Sequence, residues 1–270
     1  MLFKTSPPHL YAKGSVPQTF WTVLLALFPA AGVSLISSRG QTFRILVMTL
    51  MGSVLAEIGM RRLFKKAPTL YDGSAVASAF LLALILPPTL PSWMAVLGSV
   101  FMVAIGREAF GGLGQNLFNP VLVGNAFLLS LFPLTMNSFS SPLDIPLALA
   151  SLAGGLLLIF ARVIPWDTPL LYLVSVFLFS VLLGGEGAGA LARGPVFLAA
   201  FFMVTDPATS PLTRWGKRGF SLGAGFFTAA FREWAGPLEG ITYGLLLMNA
   251  FNPWLDHWIR PARAKKVLLS

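Results

Sequence analysis

Residues 92–132 read SWMAVLGSVFMVAIGREAFGGLGQNLFNPVLVGNAFLLSLF. An apolar run reaches the pair Arg107-Glu108, a glycine-rich break follows, and a second apolar run begins at Phe118. A membrane-spanning helix needs about 20 mostly apolar residues. The stretch therefore holds two candidate spans, 92–108 and 118–136, hinged at the break. Gly111-Gly112-Leu113-Gly114 is no phosphate loop, because no strand precedes it. Working outward, the same reading gives segments 17–37, 43–63 and 74–90 before it. After it come 144–163, 168–184, 194–206, 219–236 and 240–259. Ten full spans would consume about 200 residues, a tight fit for a chain of 270. Segments 74–90 and 194–206 close on Pro87-Pro88 and Asp206-Pro207, which marks them as half-helices or broken helices. Irregular backbone at membrane depth persists only where protein buries it or it lines a cavity. Interrupted segments are thus the best pointer to a site. Eight crossings with two re-entrant segments fit nearly as well.

Composition supports this reading. Hydrophobic residues make up 56%, charged residues 11%, and mean hydropathy is +0.76. A soluble domain carries about 25% charged residues. Too few polar groups exist here to cover a water-soluble globule, and an ordinary soluble enzyme, a disordered chain and a nucleic-acid binder are excluded. The net charge of +9 reflects only 10 acids, a membrane charge bias rather than a phosphate-binding footprint. With the N-terminus inside and ten alternating segments, fifteen bases fall inside. Only Arg39, Arg44, Arg193 and Arg232 fall outside, a strong positive-inside signal. Met1–Pro17 lacks the apolar stretch of a signal peptide. With no cysteine, there is no disulfide, thiolate zinc site or cysteine-ligated cluster. His9 and His257 do not form a metal constellation. The tryptophans lie near segment ends, as an interfacial belt would.

The chain repeats itself weakly. Arg107-Glu108-Ala109-Phe110-Gly111-Gly112-Leu113 resembles Arg232-Glu233-Trp234-Ala235-Gly236-Pro237-Leu238. Each precedes a long apolar helix, and each half holds a short run closing on proline. Five segments per half would invert the second half, with a pathway at the interface. The alternative is chance similarity among Gly- and Phe-rich helices.

With few acids, each one counts, since ionisable groups within spans are expensive and by default functional. Glu57 lies within its segment and is a candidate cation or proton site, or else a partner of Arg61 at i+4. Glu108 and Glu233 each follow an arginine. Helical neighbours diverge by about 100°, so pairing with other helices is expected of them. Asp72 suits a helix cap. Asp206, with Thr209 and Ser210, suits a polar neck or a cap. Glu239 and Asp256 are expected in solvent. The ion-path candidates are Glu57, Asp206 and Glu108.

Several blocks resemble a known family. They are Thr5-Ser6-Pro7-Pro8-His9, Tyr71-Asp72-Gly73-Ser74-Ala75 and Phe110-Gly111-Gly112-Leu113-Gly114-Gln115-Asn116-Leu117-Phe118-Asn119-Pro120. Further on come Thr205-Asp206-Pro207-Ala208-Thr209-Ser210-Pro211, Gly236-Pro237-Leu238-Glu239-Gly240 and the final helix from Leu245. In this order they resemble the D-type membrane subunit of the Rnf ion-translocating electron-transport complex, a relative of the B-type subunit of the sodium-pumping NADH:quinone reductase. The resemblance implies an all-α polytopic fold of ten helices in two inverted five-helix repeats, like urea transporters. It implies one FMN joined by a phosphoester to a threonine in the outer loop after the fifth segment. Here that loop has shrunk to 137–143. Aligned on Pro142-Leu143, Ser141 takes the threonine position and Ser138 the first serine of the motif, with Phe139 where the family has glycine. Covalent FMN at Ser141 and an ordinary polar turn both remain open, as does a non-covalent flavin between helices.

The expected organisation is an inner tail 1–16, a first membrane repeat 17–136, the outer loop 137–143, a second repeat 144–259 and a basic inner tail 260–270. The expected function is that of a subunit in a flavin-linked complex translocating Na+ or H+, of the ferredoxin:NAD oxidoreductase type, in a bacterial or archaeal cytoplasmic membrane. Alone it would catalyse no net reaction. Other membrane, iron–sulfur and flavin subunits and the bilayer would be its partners. A small-solute channel on the same scaffold, or a flavin-less structural subunit, are the rivals.

Overall fold

The computed structural model describes residues 16–67, 69–137, 144–192 and 195–259. Among them helices dominate and no strand occurs. In chain order they are α1 (Val16–Ser37), α2 (Gln41–Leu63), α3 (Ser74–Ile85), α4 (Ser92–Ala104), α5 (Pro120–Leu131) and α6 (Pro133–Asn137). The series continues with α7 (Ile145–Phe160), α8 (Asp167–Leu182), α9 (Gly187–Ala192), α10 (Val196–Leu198), α11 (Arg214–Trp234) and α12 (Pro237–Ile259). All ten expected segments are helical, with shifted ends. The second ends of the two proline-closed segments are the main difference. α3 stops at Ile85, because Leu86 precedes proline and turns extended. α10 runs into a wide π turn, Ala199–Met203, before Asp206.

Three stretches are long and apolar enough to cross a bilayer by length and composition: 16–37, 41–63 and 92–110. α3 spans about 18 Å at 1.5 Å per residue and α10 with its π turn about 12 Å, well short of a 30 Å hydrocarbon core. These two short elements are buried almost throughout. Ala79 and Leu82 of α3, and Val196, Leu198, Ala199 and Ala200 of the α10–π segment, have 0% exposure. The long helices surround them and turn Leu25, Phe43, Leu55, Leu149 and Phe160 outward. That is the inverse of a soluble globule, where chain breaks lie at the surface. It satisfies the rule that interrupted backbone at membrane depth must be enclosed by protein. The chain is a multi-pass membrane protein. Trp21, Trp93, Trp166, Trp215, Trp234 and Trp254 are all exposed, as an interfacial belt requires.

α2 packs on α4 and α8 packs on α11; α4 packs on α5 and α11 on α12; α1 meets α7 and α5 meets α12. Small residues sit at the crossings, as in membrane bundles generally. A Cβ added at Gly52 of α2 would lie 2.1 Å from Ser99 Oγ of α4. One added at Gly225 of α11 would lie 2.4 Å from Ser175 Cβ of α8.

Candidate ion-path site at the broken segments

The first cluster forms where α2, the start of α3 and the break after α4 converge. Glu57 is wholly buried. Arg107 Nη2 lies 2.7 Å from Glu57 Oε2. Thr69 donates to Glu57 Oε1 twice, from its amide at 3.0 Å and its hydroxyl at 2.8 Å. Arg61 is a more distant partner at 3.8 Å. Arg107 Nε also reaches Glu108 Oε1 at 3.1 Å, and Arg61 approaches the same oxygen at 3.4 Å. Arg107 Nη1 donates to Ser74 Oγ at 2.9 Å.

One expectation is corrected here. Arg107 and Glu108 pair directly, although neighbours on an α-helix diverge. Arg107 has left the helix, with φ −124° and ψ −60°, and Glu108 opens a 3-10 turn (Glu108–Phe110). Gly111 and Gly112 then hold φ of +114° and +110°, which side chains strongly disfavour. The Gly-Gly pair thus lets the chain double back over the ion pairs. The i+4 partnership of Glu57 with Arg61 is present but secondary. Two acids and two arginines together form a neutral tie. Asp72 stands one residue before the N-cap Gly73 of α3 and accepts from the Ser74 amide at 2.8 Å, which partners the first amide of the helix.

The second cluster joins the two broken segments. Asp206 Oδ2 accepts from Asn119 Nδ2 at 3.1 Å and Thr209 Oγ1 at 3.0 Å, and Oδ1 accepts from the Ala208 amide at 3.1 Å. Asn119 is also the N-cap of α5, accepting from the Val121 amide at 3.0 Å. Its own amide donates to Asn249 Oδ1 of α12 at 3.0 Å. Asn249 and Asn252 both donate to the Thr209 carbonyl, at 3.2 and 3.0 Å. The Asn-Pro start of α5 is thereby tied to the loop after α10 and to α12. Beside this knot lies a cavity of about 70 Å³ whose lining includes Thr19, Ser78, Asn119, Phe201, Thr205 and Asp206. Ser74, held by Arg107, and Ser78, on the cavity, are one turn apart on α3. Glu57 and Glu108 thus share one cluster, while Asp206 belongs to the other, reached along α3.

Glu239 is a second correction. It is buried, not solvated, and accepts from Asn137. It stands in the first turn of α12, where the helix N-terminus favours a carboxylate, and the α5–α6 end covers it. Asp256 accepts from the Leu212 amide at 3.1 Å. At the start of α8, Asp167 accepts from Arg218 Nε at 2.9 Å, with Arg214 at 3.5 Å. Burial alone would raise its carboxyl, but the hydrogen bond and charge of Arg218, with Arg214 behind it, hold it below the ordinary aspartate value. His257 is exposed, and no group of metal ligands occurs among the described residues. Ser138 and Ser141 lie outside the described residues. The loop's flanks are anchored: Asn137 at Glu239, and Asp144, which accepts from the Leu147 amide and donates its own amide to the Ala192 carbonyl. Sequence reasoning missed Asn125, Asn249 and Asn252. Asparagine within a span was the available signal.

The chain matches the model of the NQR2, RnfD, RnfE family over residues 3–148 and 145–265. It is 34% identical to the D-type subunit of the Na+-translocating ferredoxin:NAD+ oxidoreductase complex of Acetobacterium woodii, over 95% of this chain and 93% of that protein. It is 31% identical to the D-type subunit of the proton-translocating ferredoxin:NAD+ oxidoreductase complex of Clostridium ljungdahlii, over 96% and 95%. Against the D-type subunit of the ion-translocating oxidoreductase complex of Methanosarcina acetivorans it is 32% identical, over 93% and 92%.

Proposed function

The chain belongs to the NQR2, RnfD, RnfE family, and from that premise we propose that it is the D-type membrane subunit of an ion-translocating ferredoxin:NAD+ oxidoreductase. It assembles with the complex's other membrane, iron–sulfur and flavin subunits in a bacterial or archaeal cytoplasmic membrane, with both termini inside. The observation that carries the reading is the junction of the two broken segments at Asp206 and Asn119, within a chain matched to D-type subunits over nearly its full length.

The scaffold is ten segments in two inverted five-helix repeats. Support comes from the packing: α2–α4 mirrors α8–α11, α4–α5 mirrors α11–α12, and α1 and α5 each meet their counterparts, α7 and α12. Partners along α5 and α12 run in opposite order, Asn119 with Asn249 and Asn125 with Thr242. Those two helices are therefore antiparallel, as an inverted pair must be. The ion passes between the halves, past Glu57 and Glu108 at the inner tie and Asp206 at the neck. In vesicles holding the whole complex, Glu57→Gln and Asp206→Asn are expected to slow ion uptake at least tenfold while assembly persists. Wild-type uptake in both variants sinks the path.

FMN at Ser141 by phosphoester is the family's position carried to this chain. A flavin there would supply an electron carrier on the outer face, and this chain's part would be the hydroxyl that holds it. The scaffold-only reading draws on length: the alignment to the Acetobacterium woodii protein runs over 295 positions, longer than this chain, and the loop has only 138–143 between its anchored ends. In-gel fluorescence decides. A fluorescent wild-type band lost in Ser141→Ala supports the carrier, and a dark wild-type band leaves the scaffold alone.

A further inference from the structure

α5 and α12 face each other along a row of polar pairs. Asn119 meets Asn249, Asn125 Nδ2 donates to Thr242 Oγ1 at 2.7 Å, Ser130 Oγ and Tyr243 Oη lie 3.2 Å apart, and Asn137 donates to Glu239. Along α12 the row runs from Glu239 to Asn249, a helical rise of about 15 Å at 1.5 Å per residue, about half of a hydrocarbon core of about 30 Å. The row therefore lies within the apolar bundle, along the seam between the two halves. Asn125 and Thr242 stand in its middle, each with 0% exposure.

The orientation of Asn125 is fixed chemically. The Thr242 hydroxyl donates to the Leu238 carbonyl at 2.7 Å, so its oxygen is left to accept. The Asn125 amide nitrogen must face it, which turns Oδ1 away. Asn125 Oδ1 is buried and has no protein donor. The same holds for Glu239 Oε2 towards one end of the row and Asn252 Oδ1 at the other. Among the described residues these are the side-chain carbonyl or carboxylate oxygens without a donor outside the Glu57–Arg107 tie; the hydroxyls of Ser53, Thr168 and Ser180 are the other buried side-chain atoms there without a partner. The three carbonyl or carboxylate oxygens are acceptors, and none is a donor. Buried polar atoms are costly unless partnered, and exceptions ask for water or an ion. A row of bare oxygens in an apolar bundle suits a cation. A neutral amide at the midpoint suits a single charge, because burying a divalent ion against neutral oxygens is prohibitive. Sodium takes hard oxygen ligands of this type, while a lone amide has no titratable group to relay a proton.

We propose that the Asn125–Thr242 pair is a binding station for a monovalent metal cation, with Asn125 Oδ1 supplying its protein ligand. Glu239 serves the station from the outer end of the seam, and Asn252 and Asp206 from the inner end. This rests on the ion-translocating reading above and adds a place and an ion class to it.

The test uses the assembled complex in sealed vesicles, driven by electron transfer between ferredoxin and NAD+, with 22Na+ uptake and internal pH followed together. Asn125→Leu keeps the branched outline of the side chain and removes the oxygen. It is expected to cut sodium uptake at least tenfold while electron transfer in leaky vesicles persists. Asn125→Asp keeps an oxygen and is expected to retain uptake with a lower half-saturating sodium concentration. Wild-type sodium uptake in Asn125→Leu overturns the station. If Asn125→Leu does not assemble, Thr242→Val releases the orientation of Asn125 and must raise the half-saturating sodium concentration severalfold; no change overturns the proposal. Wild-type vesicles that move protons but not sodium overturn the station and leave the ion-translocating reading standing. Wild-type vesicles that move neither overturn both.

Discussion

The break after α4 and the break after α11 lie beside the same dipeptide, yet they are built differently. At Arg107-Glu108 the helix has ended, and both side chains turn inward to join Glu57. At Arg232-Glu233 α11 is still helical and continues to Trp234. Arg232 is buried beside the Tyr172–Thr228 hydrogen bond of 3.1 Å, while Glu233 is exposed. The difference originates on the partner helices. α2 carries Glu57 within its span, whereas the only acid of α8 is Asp167 at its start. The repeated motif therefore lies close to both breaks, but α4 ends three residues before its arginine and α11 two residues after it, and the facing helix decides whether the break carries an ionic tie.

The largest effect expected is from Arg107→Ala. It strands Glu57 and Glu108 in a buried site with only Arg61 nearby and is expected to cost about 3–5 kcal/mol, seen as a lowered midpoint of thermal unfolding in detergent. Replacing Arg107 and Glu57 together by Met and Leu is expected to recover most of that loss, because a buried ion pair contributes little net stability against well-packed apolar groups. Failure to recover would show that the tie also sets the local chain path. Next in size is the helix crossing common to both halves. Gly52→Ala and Gly225→Ala each force a methyl into an occupied space and are expected to cost about 1–3 kcal/mol, by the same measurement. Equal costs would mark the crossings as equivalent, whatever the breaks do. A sharper contrast pairs Glu108→Ala with Glu233→Ala. The first is expected to destabilise by several kcal/mol, since it unbalances two buried arginines, the second by no more than about 0.5 kcal/mol, as an exposed side chain. The smallest effect belongs to Asp167. Its carboxyl is held below the ordinary value, so its contribution is present above that value and lost as pH falls through its lowered one. Asp167→Asn is expected to cost under about 1 kcal/mol at neutral pH, because Arg214 is largely exposed. The gap from wild type should close in acid.

Much of this arrangement was legible in the sequence. Glycine and proline punctuate a strongly apolar chain, so segment positions followed from local chemistry. The breaks at 86–88 and 206–207 identified the enclosed elements because proline removes a donor and the residue before it leaves the helix. What could not be read was partnership. The Arg107–Glu108 contact depends on a non-helical residue where periodicity expects a helical one. The burial of Glu239 depends on Asn137, a hundred residues away. The polar seam depends on two distant helices meeting in antiparallel order. Asparagines at 119, 125, 249 and 252 look ordinary along the chain and gain meaning only once those helices are placed together. The flavin position at Ser141 and Ser138 falls outside the described residues.

The shortness of α3 and of the α10–π segment also bears on how the protein is made. Neither is long enough for an insertion machinery that reads hydrophobic length to accept as an independent span. Each must be carried in by neighbours already in the bilayer. α3 has α1 and α2 synthesised ahead of it. The α10–π segment has α7 and α8 ahead of it, but α11 and α12 arrive only afterwards. The element that ends in Asp206 therefore depends for part of its birth on an incomplete enclosure. Assembly of the second half should be the step most sensitive to truncation and to the pace of synthesis.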